Sequence, residues 1–300
     1  MRAETRRGSP AEVRAALFFL APGLLVIVVF FFLPIAASLL LSATDFDLYA
    51  LADPSNARLT GLSNYRALVF DPVFLTALRN TLVFVLLGSP LTVGVALSAA
   101  LLVNARLARA KGFFRTTFFA PVVTTLVAVA IVFKYVYHPR FGLLNRGLGL
   151  VGIPPVDWLG DPRFSLFAIV LLAIWKNFGF STILFVAGLQ GIPESLYEAA
   201  RLDGAGRWQQ FRRITLPLLA PTLLLVGLTR TIDYFQLFAE PYVMTSGGPL
   251  NSTLTMALLM YKEGFRFWNM GRGAAIAFVL FGVILVATLI QFLLQRGEEA

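Results

Sequence analysis

Charged and amide side chains interrupt two apolar segments of the chain, each long enough to cross a bilayer. These side chains are Lys176 and Asn177 in residues 164–189, and Arg230, Asp233 and Gln236 in residues 214–238. A charge within a bilayer is costly, so such side chains normally face a protein interior or a water-filled cavity. The pattern predicts a polar path near the membrane midplane. Two alternatives stay open: Arg230 and Asp233, which share a helix face, form a structural ion pair, and Lys176 contacts a neighbouring helix or extends to the membrane surface.

The connection between these two segments, residues 190–213, carries a second pattern. Its physical features predict a short helical hairpin. Pro193 suits a first helical turn, because its missing N–H is no loss there, and Ser195 with Glu198 has capping-box spacing as an alternative start. Asp203-Gly204 breaks the helix, since glycine tolerates a positive φ, and a second, basic helix follows over 207–213. Such a hairpin fits a surface that docks into a cleft of another protein.

Several kinds of chemistry are disfavoured by the residue inventory. The chain has no cysteine and one histidine, His138, which excludes Cys-based sites and any metal site that needs two histidines. We find no Ser/His or paired-Asp catalytic constellation and no G-x-x-x-x-G-K-[ST] sequence, so this chain is not expected to bind ATP itself. Residues 147–152 match G-x-G-x-x-G, but Pro154 and Pro155 follow at once, where a dinucleotide site needs a helix.

The composition predicts an all-α integral membrane protein. Hydrophobic residues make up 58% of the 300 residues and charged residues only 14%, against about a quarter charged in a soluble domain. Six segments have the length and composition of membrane-spanning helices. They are residues 15–44, 80–103, 116–137, 164–189, 214–238 and 273–295. They form one transmembrane domain over residues 15–296, preceded by a terminus at 1–14 and followed by a tail at 297–300.

The distribution of Lys and Arg predicts the orientation of these spans. Both residues are denser in 1–14, 104–115, 190–213 and 296–300 than in the longer connections 45–79, 138–163 and 239–272. Positive charge accumulates on the cytoplasmic side, so both termini and the 190–213 loop are expected there. The net charge of +9 is explained by this rule, and nucleic acid is not expected as a partner.

The 190–213 loop and the start of the next span resemble the signature of permease subunits in binding-protein-dependent ABC importers. The pattern is E-A-A-x-x-D-G-A followed by I-x-L-P. Its positions here are Glu198, Ala199, Ala200, Asp203, Gly204, Ile214, Leu216 and Pro217. Further segments resemble the carbohydrate-uptake branch, the maltose and glycerol-phosphate permease type. They include the stretches 19–22, 174–176 and 187–193, and the outer-loop motif of Gly247, Gly248 and Pro249.

This resemblance implies a MetI-like permease fold and a transport subunit that is not an enzyme. The 190–213 loop would be a coupling helix seated in a separate ATPase subunit dimer, which carries ATP and Mg²⁺, while this chain binds no cofactor. A second permease subunit, generally a different chain, and an extracytoplasmic solute-binding protein would complete an importer in the bacterial inner membrane. The solute would be a sugar or sugar-like molecule.

Three alternatives remain at this stage. A permease of the same superfamily could carry a non-sugar solute. A secondary transporter often contains internal repeats and broken helices, but the two halves of this chain show no convincing similarity, and the 190–213 pattern would be unexplained. An intramembrane enzyme would need the catalytic constellation that we do not find.

Overall fold

The computed structural model describes residues 10–104 and 111–296, and within these ranges it contains helices and turns and no β-strand. The α-helices are α1 (Pro10–Ile27), α2 (Leu33–Ser42), α3 (Leu48–Ala52), α4 (Ser63–Val69), α5 (Pro72–Asn104), α6 (Lys111–Val123), α7 (Leu126–Val136), α8 (Leu143–Gly149), α9 (Ser165–Gln190), α10 (Glu194–Leu202), α11 (Arg207–Gln210), α12 (Leu216–Leu218), α13 (Ala220–Phe235), α14 (Ala239–Thr245), α15 (Met256–Tyr261) and α16 (Met270–Arg296). Three π-helical turns join helices, at Val28–Phe32, Phe211–Thr215 and Lys262–Arg266. The predicted all-α class is confirmed.

Four helices are long and apolar enough to cross a membrane without interruption. They are Arg14–Ser42, Pro72–Asn104, Ser165–Gln190 and Met270–Leu294. Two further spans are possible from bent pairs: Thr116–Val123 with Leu126–Val136, bent by 106°, and Arg207–Leu218 with Ala220–Phe235, bent by 68°. Counting each bent pair as one span gives six, in agreement with the prediction of about six. The termini 1–14 and 297–300 and the connection 104–115 lie wholly or partly outside the described residues.

The two bends fall within the predicted spans 116–137 and 214–238. The first break follows Pro121, and Thr125 is extended, with φ −67° and ψ 136°. The second break is at Leu219, between Pro217 and Pro221. A proline removes one backbone donor and its ring clashes with the carbonyl four residues before it. The same effect accounts for the π-helical turns that end just before Pro34 and Pro217, where the backbone widens ahead of the ring.

Helices α5, α9 and α13 form the centre of the bundle. Together with residues of neighbouring helices, their buried side chains make two apolar clusters. The cluster nearer α10 contains Ala96, Ala100, Phe185, Leu189, Leu219 and Val226. The larger cluster includes Phe84, Leu172, Tyr234, Met256 and Ile276. Small residues permit the close approaches, as is common between membrane helices. A Cβ at Gly88 would overlap the ring of Tyr234, and one at Gly179 would overlap the carbonyl oxygen of Phe118.

The first of the four uninterrupted candidate spans is the most exposed of them. No residue is buried in the most apolar 18-residue window of Arg14–Ser42. Its second half, α2, packs against α16, while the aromatic side chains around the first π-helical turn point away from the bundle. An apolar helix exposed in this way requires an apolar surrounding, which a bilayer provides.

Candidate functional site

The 190–213 connection folds into the helical hairpin that its sequence predicts. Helix α10 starts directly after Pro193, whose backbone is extended, with φ −60° and ψ 128°. The alternative start at Ser195 is wrong, because this residue lies within α10 and no side chain caps the helix N-terminus. The second helix of the hairpin is α11, which continues through the π-helical turn Phe211–Thr215 into α12.

The turn between the two helices is a Schellman motif built on Gly204. The N–H of Ala205 donates to the carbonyl of Ala200 at 2.8 Å, and the N–H of Gly204 donates to the carbonyl of Arg201 at 3.1 Å. These are the two bonds that define the motif, and they require a left-handed residue after the C-cap. Gly204 fulfils this with φ +78°, so the predicted helix break at Asp203-Gly204 is confirmed.

The tip of the hairpin projects its side chains into open space. Leu202 is 90% exposed and Trp208 72% exposed, and a Cβ on Gly204 would meet nothing within 4 Å. Glu198 and Ala199 are also exposed. The only charge partner of Glu198 among the described residues is Arg201, at 3.9 Å. Exposed apolar side chains grouped around a tight turn indicate a contact surface for another molecule.

Two polar contacts fix the hairpin, one at its base and one at its turn. The Tyr197 hydroxyl and Thr215 Oγ1 are 2.9 Å apart, and Thr215 is buried. Gln210 Nε2 donates to the carbonyl of Ala205 at 2.7 Å, which closes the turn. The remaining motif positions follow on the chain: Ile214 and Leu216 are half-buried and Pro217 is exposed. The pattern thus unites an exposed tip with a base fixed to the start of the fifth span.

Lys176 contacts a neighbouring helix, one of the alternatives left open by the sequence. Its ammonium group donates to the carbonyl oxygens of Pro121, Val122 (3.2 Å) and Thr124 (2.8 Å). These carbonyls lie at the C-terminal end of α6, where the backbone breaks before α7. Its neighbour Asn177 is half-buried and donates within its own helix, to the carbonyl of Ala173 at 2.9 Å.

Arg230 and Asp233 form an ion pair of 2.8 Å on one face of α13. The Arg230 side chain is 7% exposed and that of Asp233 is 48% exposed, so the pair presents its carboxylate to the open side. The Arg230 guanidinium also lies 5.8 Å from the centroid of the Phe180 ring, within the range of a cation–π interaction. Gln236 caps the C-terminus of α13 and is exposed.

A further charged residue, Glu240, joins this group and is missed by the sequence reasoning. It lies in the first turn of α14 and is 5% exposed. It is close enough to Lys176 and to Asp233 to interact electrostatically with both. The sequence places Glu240 in a connection outside the spans, and only the packing of α14 against α7 and α9 brings it to them. The signal available was a carboxylate directly after an apolar span that already contains charges.

The outer-loop motif is a packed turn between α14 and α15. Gly247 is buried with φ +90°, and a Cβ there would come within 3.3 Å of Lys262 Nζ and 3.1 Å of Leu254 Cδ1. The peptide bond between Gly248 and Pro249 is cis. The amide of Asn80, on α5, donates to the carbonyls of Asn251 (2.8 Å) and Leu254 (3.0 Å).

Asn80 therefore ties the 246–255 turn to the bundle, and a bond within the turn involves the motif. Thr253 Oγ1, which is buried, donates to the carbonyl of Gly248 at 2.8 Å. Across the described ranges, no group of three or more His, Cys, Asp and Glu side chains is placed to hold a metal ion.

Comparison with known proteins identifies this arrangement. The model of the family "Binding-protein-dependent transport system inner membrane component" matches residues 92–299, a stretch that includes the hairpin, the ion pair and the outer-loop motif. The chain belongs to this family. As a permease of an ABC transporter, it is a transport subunit and not an enzyme, and its multi-pass architecture is the MetI-like fold expected from the sequence.

Relatives of the permease extend over almost its whole length. The lactose transport system permease protein LacF of Rhizobium radiobacter is 37% identical over 286 residues, which are 94% of this chain and 94% of the relative. The arabinooligosaccharides transport system permease protein AraP of Bacillus subtilis is 36% identical over 289 residues, 95% of this chain and 90% of the relative.

A solved structure confirms the fold of the permease. A chain of a bacterial alginate ABC transporter, in complex with an alginate pentasaccharide-bound periplasmic protein, superposes with a TM-score of 0.75. The match covers 94% of this permease and 93% of that chain at 22% sequence identity. At this identity the likeness concerns the fold.

Proposed function

We propose that this permease translocates a sugar or sugar-like solute in an ATP-driven importer, after an extracytoplasmic binding protein delivers that solute. Two relatives that match nearly the whole chain are named for lactose and for arabinooligosaccharides, and the family is described as binding-protein-dependent. A non-sugar solute carried by the same machinery is the second candidate, and the experiment below separates the two.

The observation that carries the importer mechanism is the exposed tip of the 194–210 hairpin. Leu202 and Trp208 are exposed on either side of Gly204, while the Tyr197 hydroxyl contacts Thr215 at the base of the hairpin. We infer that this tip seats in a cleft of a separate ATPase subunit, which carries ATP and Mg²⁺. Glu198, Ala199, Ala200 and Asp203 would then transmit force and perform no chemistry. Ile214, Leu216 and Pro217 would pass the movement into the fifth span.

The open side of α13 is the proposed route of the solute. Asp233 and Gln236 offer exposed carboxylate and amide groups, which can hydrogen bond to hydroxyl groups of a passing sugar. Arg230 holds Asp233 through the ion pair, and Asn177 on α9 is half-buried. A second permease subunit, a different chain, would provide the opposite wall of the route.

The topology of this proposal places both termini and the 190–213 loop in the bacterial cytoplasm. Residues 15–296 form the transmembrane domain within the inner membrane, and the turn with Gly247, Gly248 and Pro249 lies on the outer side. The support is the greater density of Lys and Arg in the termini and the 104–115 and 190–213 connections.

The test is ATP hydrolysis and solute uptake in proteoliposomes. The permease is co-expressed with its partner subunits, and activity is measured with and without the binding protein and a panel of sugars, amino acids and polyols. We expect stimulation by one liganded binding protein, and loss of that stimulation in Glu198→Lys, while Gln209→Lys, which adds the same charge to an exposed position of the same hairpin, retains it.

Stimulation by a sugar confirms the substrate class, and stimulation by another solute selects the second candidate. Uptake driven by an ion gradient without any ATPase subunit would contradict the importer mechanism.

A further inference from the structure

The break between α6 and α7 creates a group of backbone carbonyls that has to be satisfied inside the membrane. The last four carbonyls of a helix have no partner within it, and each unsatisfied group in a bilayer costs several kcal/mol. Here the break is a bend of 106° in the middle of an apolar segment. The end of a helix also bears partial negative charge, so a cation is the favoured partner.

Lys176 is this cation, and all of its N–H donors are directed at the break. An ammonium group has three N–H donors, and the Lys176 ammonium contacts three carbonyls of the break, those of Pro121, Val122 and Thr124. The Thr124 hydroxyl adds a second bond to the carbonyl of Pro121, at 2.7 Å. Lys176 therefore binds the end of a neighbouring helix and does not extend to the membrane surface.

Helix α9 holds the α6 half of the break at a second point, one turn further along. A Cβ on Gly179 would overlap the carbonyl oxygen of Phe118, so the absence of a side chain allows the α6 backbone to lie directly against α9. Lys176 and Gly179 are three residues apart and face the same neighbour. The close contact at Gly179 fixes the distance between α6 and α9, and the hydrogen bonds of Lys176 fix the direction of α6.

Glu240 lies on the helix that contacts the other half of the break. It is buried in the first turn of α14. Helix α14 packs against α7, the other half of the broken span, and the Lys134 ammonium on α7 lies 3.4 Å from the carbonyl of Val243 on α14. Lys176 therefore contacts the α6 side of the break, and α14 contacts the α7 side.

We propose that Lys176 is the positioning residue that sets the bend of the third span, and that this bend is needed to convert ATP hydrolysis into solute movement. The second part rests on the proposed importer function, and the first part does not. The assignment replaces a role for Lys176 in contacting the solute, since its three donors are already directed at the break.

The bend can be measured directly because the chain contains no cysteine. Cysteines introduced at Thr117 on α6 and Val132 on α7, both exposed, accept spin labels whose separation is read by electron paramagnetic resonance in the assembled complex in nanodiscs. With arms of about 10 Å on each side of the break, the bend corresponds to a backbone separation of about 12 Å, and a straight span to about 20 Å. A label pair at Leu86 and Leu102, both exposed on the unbroken α5, is the control.

We expect Lys176→Met to extend the distribution between the α6 and α7 labels toward the longer distance, while the α5 pair is unchanged. Gly179→Val should give a similar displacement by pushing α6 from α9. Lys176→Arg should stay closer to the wild-type distribution than Lys176→Met, because the positive charge and N–H donors remain. Unchanged distances in Lys176→Met, or equal displacement in the Met and Arg variants, would overturn the positioning role.

Transport provides the second readout, which a purely structural lysine would not change once the complex has assembled. We expect Lys176→Met to raise the ATP hydrolysed per solute imported by about tenfold, the effect of losing one charged hydrogen-bonded contact, with the half-saturating solute concentration unchanged. A change confined to that concentration would instead place Lys176 at the solute and overturn the proposal.

If the label distances respond as expected while the wild-type complex shows no binding-protein-dependent ATPase activity, the positioning role of Lys176 stands and the importer function fails.

Discussion

Substitutions at Gly204 can distinguish the effect of backbone strain within this chain from the effect of contact with a partner protein. Its φ of +78° lies in the left-handed region, and a Cβ there meets nothing within 4 Å. Any L side chain at this position costs about 1–2 kcal/mol of backbone strain. Because the space around the turn is open, Ala and Trp should impose nearly the same strain on the isolated permease. A difference between the two variants therefore measures what the tip meets outside this chain.

The expected losses of uptake follow from the backbone strain and from overpacking at the interface. Strain of about 1.4 kcal/mol corresponds to a tenfold effect at most, so Gly204→Ala should keep uptake within about tenfold of the wild type. A bulky ring forced into a packed interface adds about 3 kcal/mol, the upper range for overpacking, or a further factor of about 100. Gly204→Trp should therefore lose uptake while the protein is expressed and inserted normally.

The matched control is Gly61, on the predicted outer side. It has φ +61° and open space around its Cβ, so Gly61→Trp carries the same strain and bulk at a distance from the hairpin. Uptake, stimulated ATPase activity and co-purification of the ATPase subunit are measured in proteoliposomes for the three variants. Uptake by Gly204→Trp equal to that by Gly204→Ala, or an equal loss in Gly61→Trp, would refute the docking role of the turn.

Three further outcomes follow from the packing. Gly88→Val should lower the melting temperature in detergent, because overlap with the Tyr234 ring costs about 1–3 kcal/mol. The control Gly94→Val, on the same helix with open space around it, should leave the melting temperature unchanged. Equal melting temperatures of the two variants would contradict the close packing at Gly88. Asn80→Leu should make the turn of the outer-loop motif more accessible to proteases, because two backbone carbonyls lose their donor, which is checked by limited proteolysis against the wild type. Asp233→Asn should raise the half-saturating solute concentration in uptake assays, because the carboxylate faces the open side. Unchanged uptake would make it a structural position.

The sequence predicts well those features that depend on local chemistry. The hairpin break at Gly204 follows from a residue that tolerates positive φ, and the pairing of Arg230 with Asp233 follows from helical spacing. Long apolar runs predict membrane helices because the thickness of the bilayer fixes their length. These inferences need only a few neighbouring residues.

The features that the sequence does not predict depend on residues distant along the chain. Prolines are tolerated in membrane helices, so Pro121 alone did not indicate a bend of 106°; the bend also needs carbonyl partners, and Lys176 supplies them from α9. Glu240 lies outside every apolar run and reaches Lys176 only through the packing of α14. Sequence periodicity describes one helix at a time and cannot locate a contact between three.

Because Tyr197 is hydrogen-bonded to Thr215, the hairpin is attached to two spans. Helix α10 is attached to the fourth span through the short 191–193 linker, and the hydroxyl contact attaches it to the beginning of the fifth. If the tip docks on an ATPase subunit as proposed, a displacement there would act as a torque on both spans, with α10 as the lever arm. The bend of 68° at Leu219 would then convert tilting of the segment before it into rotation of α13. Rotation of α13 would turn the carboxylate of Asp233 with it, so movement of the hairpin would change which polar groups face the open side of α13.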